Sequence, residues 1–201
     1  MSYSDFSVKK VKTAFQINIH ETLGLFSNVS KKPISSHLQE TLFDNVPLSI
    51  SINTEKARSE LVIAPVLVDI RKQYKKTISL FSGVELNIDK EQELNGFCDF
   101  IISQSAEQLY ITAPIIMGVA AKNENIMSGL GQCIAEMIAA RIFNENEGIE
   151  ISKIYGIVTS GNLWKFLKLE DQEVYIDLDD YGIKEIETIM GILSAMIEQK
   201  T

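Results

Sequence analysis

The sequence predicts an α/β domain with a mixed central β-sheet flanked by helices. Three observations carry that prediction. Helical apolar periodicity recurs in three separate stretches, about 54–73, 128–144 and 183–199. Between them lie short runs rich in β-branched and aromatic residues, bounded by Ser, Gly and Asn. One of these runs, Ile115-Ile-Met-Gly-Val-Ala-Ala121, is apolar at every position and suits a central strand covered on both faces.

Taken in order, Lys12 to Ile19 alternates, with Phe15, Ile17 and Ile19 on one side, and predicts a strand. Pro33-Ile-Ser-Ser36 leads into a short helix from about His37 to Phe43. Residues 1–50 are read as an N-terminal extension packed on a main domain of residues 51–201. Asn53 or Thr54 caps the next helix, whose apolar side carries Leu61, Ala64, Leu67, Val68 and Ile70; Pro65 should kink or divide it. Ile78–Phe81 and Val84–Ile88 flank Ser82-Gly83 as a hairpin. Leu94–Ser103 and Tyr110–Ala121 hold the third and fourth strands. The helix from about Ser128 to Asn144 buries Leu130, Cys133, Ile134, Met137, Ile138 and Ile142. Ile154–Thr159 and Leu163–Leu169 form a hairpin around Ser160-Gly-Asn162, Val174–Leu178 adds an edge strand, and Ile183–Gln199 is the last helix.

Composition narrows the class. With 201 residues, 45% hydrophobic and 23% charged, the chain can bury a substantial core. Its apolar runs fall short of the ~20 residues of a membrane span, and its start lacks a basic-then-apolar signal pattern, so no membrane partner is expected. Two cysteines outside CxxC spacing point to a reducing cytoplasm. A net charge of −8 argues against a surface that coats DNA irrespective of sequence. Contact with nucleic acid would run through a local groove, with a metal ion neutralising its carboxylates; the alternative is a protein or small-molecule partner.

Familiar catalytic signatures are missing: no phosphate loop, no dinucleotide fingerprint and no nucleophile elbow. His20 and His37 stand apart from other ligand residues and read as surface or packing groups. Asp99 is the only carboxylate in the apolar strand Leu94–Ile102, a costly position unless it is paired, hydrogen-bonded or metal-bound. Lys122 ends the apolar run, and alternation puts Gly118, Ala120, Lys122 and, if the strand continues, Glu124 on one face. Gln132 and Glu136 share a helix face, and Gly129-Leu-Gly131 opens that helix, where free N–H groups could meet a phosphate. Cys98, Cys133, Trp164 and Phe166 read as core. Lys56 and Arg58 could reach phosphate near Glu60 or be ordinary helix-surface charges.

Together these residues resemble the PD-(D/E)xK nuclease superfamily, the restriction-endonuclease-like fold, and in particular bacterial members often seen in cyanobacteria. The resemblance runs through Thr54-Glu-Lys-Ala-Arg-Ser-Glu60, Leu94-Asn-Gly-Phe-Cys-Asp99-Phe, Ala121-Lys-Asn-Glu-Asn125, Gly129-Leu-Gly-Gln-Cys-Ile-Ala-Glu-Met137, Tyr155-Gly-Ile-Val-Thr159 and Trp164-Lys-Phe166, over most of residues 50–195. It implies phosphodiester hydrolysis of nucleic acid with Mg²⁺ or Mn²⁺. Asp99 would match the metal-binding Asp, Lys122 the motif lysine, Glu60 the helix acid that assists metal or water, and Gln132 the helix glutamine. The motif acid should stand at 120, but the stretch reads Gly118-Val-Ala-Ala-Lys122, and alanine offers no oxygen to a metal. Three readings stay open: a non-catalytic pseudonuclease that binds nucleic acid or protein, an introduced substitution, or an acid moved to Glu124 or Glu136, each otherwise a solvated surface acid. No separate target-recognition domain is apparent, so sequence-specific cutting would need a partner or a homodimer.

Overall fold

The computed structural model describes residues 2–199. At its centre is the run that is apolar throughout, β4 (Ile115–Ala121), buried at every position. It lies in a mixed eight-stranded sheet with β1 (Asn18–Thr22), β2 (Ser79–Glu85), β3 (Phe97–Ser103), β5 (Ile154–Thr159), β6 (Leu163–Glu170), β7 (Glu173–Asp177) and the two-residue β8 (Tyr181–Gly182). The strand order is β1-β7-β6-β5-β4-β3-β2, with β8 pairing β6. β2, β3 and β4 run antiparallel in sequence, and β4 and β5 are parallel.

The helices are α1 (Val8–Phe15), α2 (Ser36–Ile52), α3 (Glu55–Arg58), α4 (Ala64–Gln73), α5 (Leu130–Asn146) and α6 (Ile186–Ile197). They form layers on both faces. One core unites the N-terminal Tyr3, Phe6 and Val11 with Cys98, Ile101, Ala120 and the α5 residues Cys133 and Met137. The other packs Leu38 of α2, Leu67 and Ile70 of α4 and Met190 and Leu193 of α6 against Phe100, Val119, Trp164 and Phe166. The stretch before residue 51 thus supplies β1 to the sheet and side chains to both cores. Helical residues Ile126–Asn146 are long and apolar enough to cross a membrane by length and composition, yet 72% of that window is buried, because α5 crosses between β4 and β5 under the N-terminal segment.

Several sequence expectations need correction. Lys12–Ile19 is not a strand: Ser7 caps α1 by accepting the Lys10 N–H at 3.2 Å, Val11 is buried, and Gln16 turns the chain into β1. The alternation of Phe15, Ile17 and Ile19 spans that helix end. The short helix at His37 extends to Ile52; its later apolar residues, Phe43, Ile50 and Ile52, are exposed, so no amphipathic period marked them. Ser82-Gly83 makes no hairpin; Gly83, at φ +62, bends a continuous β2. Strand β7 is internal, because β1 pairs alongside it in parallel. The helix expected over 54–73 begins with Thr54 accepting the Ala57 N–H at 3.1 Å. A π-helical turn at Ser59–Ile63 divides it, and Pro65 falls in the first turn of α4, where its missing N–H is harmless.

Two buried polar groups lock the layers. Asn144 of α5 accepts the Ile115 N–H at 2.7 Å and donates to the Ile115 carbonyl at 2.8 Å, tying the end of α5 to the start of β4. Lys165, on β6, donates to the Asp177 carbonyl at 2.9 Å and pairs with Asp180 at 2.7 Å, holding the loop after β7.

Candidate active site

The crossover sets the site. β4 ends at Ala121, and the Lys122 N–H continues its parallel pairing by donating to the Thr159 carbonyl at 2.8 Å. The chain then passes through a 3₁₀ turn, Ile126–Gly129, into α5, which returns over the sheet. Side chains from β3, from the end of β4 and from the first two turns of α5 therefore converge at the carboxyl end of β4.

Asp99 comes from β3. Phe100 pairs with Val119, so the same register carries Asp99 beside Ala120. Its Oδ2 accepts the Ala121 N–H at 2.8 Å. Burial pushes its carboxyl above the usual range, opposed by that N–H and by the Lys122 charge. Lys122 folds back over α5 and donates from Nζ to Gln132 Oε1 at 2.9 Å. Gly129 makes room for it: a Cβ there would lie 2.9 Å from Lys122 Cε and 2.7 Å from Val158 Cγ1.

Gln132 passes the chain on. Its Nε2 donates to Glu136 Oε1 at 2.8 Å. Glu136 is 2% exposed, and its Oε2 is buried with no hydrogen-bond partner. That oxygen faces Gly118, where an added Cβ would approach it to 3.6 Å. Burial pushes the Glu136 carboxyl up to about 8, the Gln132 hydrogen bond opposes the rise, and the Asp99 charge adds to it.

The expectation of a solvated Glu136 is thus overturned. α5 is covered on both sides, by the sheet and by the N-terminal segment. Gly131 permits this cover: a Cβ there would lie 2.2 Å from the Phe6 carbonyl oxygen. The Gly129-Leu-Gly131 glycines therefore serve close packing, not an open phosphate cradle. Glu124 does not share the Asp99 face, because the strand has ended; it is exposed and accepts from Asn53 Nδ2 at 2.8 Å. Glu60 lies outside the connected set: it is exposed, with Lys56 as its ion partner at 3.8 Å.

Arg58 is the residue sequence reasoning undervalued. It is 6% exposed, whereas Lys56 projects into solvent. A signal was available: Arg58, Val62 and Val66 fall four apart, and Val62 and Val66 are fully buried. Trp164 and Phe166 are core, with Trp164 Nε1 donating to the Gly161 carbonyl at 2.9 Å. Cys98 and Cys133 are buried free thiols whose ionisation burial and the Glu136 charge both disfavour. His20 pairs with Glu173 on the far side of the sheet, and His37 is exposed.

Among the described residues no three His, Cys, Asp or Glu side chains converge in a metal-binding group. Two carboxylates do approach one another, Asp99 and Glu136, and Glu136 has an unsatisfied buried oxygen. Carboxylate oxygens are the donor type that Mg²⁺ takes. Compared with protein-family models, with curated proteins and with solved structures, the chain matches none.

Proposed function

We propose that this chain is a restriction-endonuclease-like protein whose Asp99–Lys122–Gln132–Glu136 set is a phosphodiester-hydrolysing site with its acid moved from β4 to α5. The observation that carries this reading is the unpartnered Oε2 of Glu136, aimed over Gly118 two residues from Ala120. It faces the side of β4 that also carries Ala120, the position where the motif acid is missing. The order of elements supports it too: a helix with Glu60, a strand with Asp99, the neighbouring strand ending at Lys122, and a helix with Gln132.

In this reading Asp99 and Glu136 would hold Mg²⁺ or Mn²⁺, which would polarise the scissile phosphate. Gln132 fixes the Lys122 ammonium at the strand end and steadies Glu136 through its other amide atom. Lys122 orients the attacking water and gives a positive charge to the phosphate oxygens. The substrate is nucleic acid, and the two free thiols accord with a reducing cytoplasm.

The test is cleavage of supercoiled and single-stranded DNA with Mg²⁺ and Mn²⁺ by the chain as it stands, by its Ala120→Glu variant and by Glu136→Gln. Metal-dependent cutting by the chain that Glu136→Gln lowers by several orders of magnitude is expected. Cutting by Ala120→Glu alone would mean that Glu136 has not taken over. No cutting by any folded form would remove the hydrolytic reading.

A second reading, a non-catalytic binding module, is favoured by one observation. With its carboxyl pushed up to about 8, Glu136 is largely protonated at neutral pH when no metal is bound, which leaves the set short of an ionised ligand. Salt-dependent binding of nucleic acid without cleavage would support it.

A further inference from the structure

The Arg58 guanidinium is buried against neutral acceptors. Nε donates to Asn123 Oδ1 at 3.0 Å, Nη2 to Asn53 Oδ1 at 2.9 Å and Nη1 to the Ser160 carbonyl at 3.3 Å. The acid next in line, Glu124, is separated from it by the Asn53 amide. Three of the five guanidinium N–H donors are engaged.

The position of this cation matters as much as its partners. Asn123 follows Lys122, and Ser160 follows Thr159, whose carbonyl receives the Lys122 N–H. Arg58 and Lys122 are therefore fixed to the same two chain ends, where the parallel strands β4 and β5 leave the sheet. Lys122 turns to α5, and Arg58 arrives from α3. The crevice beyond the carboxyl ends of parallel strands is where open α/β sheets take ligands. Lys122 is also held by a neutral group, the Gln132 amide oxygen. In a chain of net charge −8, this sheet end thus holds two oriented cations; the Asp99 and Glu136 carboxyls act on Lys122, whereas the hydrogen-bond partners of Arg58 are all neutral.

Burying a cation without a counter-ion is costly, and a mere staple between loops needs no charge. A guanidinium whose fork is fixed in advance by neutral carbonyls suits the planar, two-point recognition of phosphate. We infer that Arg58, positioned by Asn53 and Asn123, is a phosphate-binding subsite beside Lys122. It takes a backbone phosphodiester adjacent to the one at Lys122, and in naming nucleic acid as the ligand it rests on the reading given under Proposed function.

The experiment is metal-free, with EDTA, and uses the full chain. Fluorescence anisotropy reads the binding of a short labelled single-stranded oligonucleotide against salt, and titration calorimetry reads the binding of inorganic phosphate. Asn123→Asp sets a carboxylate against Arg58 Nε and gives up the bond from Asn123 Nδ2 to the Asn53 carbonyl, so its melting temperature is compared with the parent's before binding is read. It is expected to weaken oligonucleotide binding about tenfold or more and to lower the salt slope by about 0.7, the share of one phosphate on a single strand. Arg58→Lys, which keeps the charge and loses the fork, is expected to weaken binding while leaving the slope unchanged. Should Arg58→Lys fail to fold, Asn123→Asp decides alone.

Equal affinity and slope in Asn123→Asp, or no binding of oligonucleotide or phosphate by the parent chain, would overturn the subsite. Binding of inorganic phosphate alone, lost in Asn123→Asp, would overturn the nucleic-acid assignment and make this a free-phosphate site. Because no metal is present, failure of Mg²⁺-dependent cleavage bears on the hydrolytic reading and not on this one.

Discussion

Replacing Glu136 by Gln isolates the most strongly perturbed acid near the site. In the folded chain its carboxyl is pushed from 4.5 up to about 8, chiefly by burial. Over that window the folded state binds a proton that the unfolded state has released, so stability falls as pH rises. Its contribution is full below about 4.5 and is lost progressively until the pH passes about 8. The slope approaches about 1.4 kcal/mol per pH unit, and the window of about 3.5 amounts to a loss on the order of 5 kcal/mol. That is comparable with the whole stability of many domains, about 5–15 kcal/mol. The assay is urea unfolding of the parent and of Glu136→Gln at a series of pH values between about 5 and 9. Near pH 5 the two should be nearly equal, since a neutral amide replaces a neutral acid. Above pH 8 the variant should be more stable by several kcal/mol. Asp99, whose carboxyl is also raised, leaves a smaller decline of the same sign in the variant. Under the proposed metal-holding role of Asp99 and Glu136, saturating Mg²⁺ should flatten the parent curve, because a bound cation favours the ionised carboxylates, and should do little to the variant. Parallel pH curves for the two proteins would refute the reasoning.

Two further outcomes follow from the packing around α5. Gly131→Ala drives a methyl to 2.2 Å from the Phe6 carbonyl oxygen, so the N-terminal segment must shift; a loss of about 1–3 kcal/mol is expected in urea unfolding, with a shallower pH dependence as water reaches Glu136. Asn144→Ala removes both bonds to the Ile115 backbone and leaves buried polar groups unmet. It should cost about 2–3 kcal/mol and speed hydrogen exchange at the Ile115 amide.

Much of the site is legible in the sequence. Asp99 stands out because a lone carboxylate in an apolar strand needs a partner, and it has one in the Ala121 N–H. Lys122 and Gln132 are marked on separate elements, and their side chains meet. Glu136 is legible only as a residue sharing the Gln132 face. Its burial depends on Phe6 and Ser7 crossing α5 at Gly131, a contact between segments more than a hundred residues apart. Arg58 is half legible: its spacing matches the buried stripe of Val62 and Val66, but an arginine there reads equally as a charge that reaches solvent.

By itself the sequence determined the α/β class, the run of elements from β3 through β7 with α5 between them, the central place of β4 and the charged residues worth following, because periodicity and capping are local properties of the chain. Tertiary structure decided that Lys12–Phe15 lies in a helix, that β7 is internal, that Glu124 faces away while Glu136 is buried, and that Arg58 is enclosed by amide and carbonyl oxygens. A hydrophobic pattern records which face of an element is covered in the simplest arrangement. Whether its other face is covered as well, and which polar groups are caught beneath, depends on chain segments distant in sequence, and those contacts set the charge and protonation of this site.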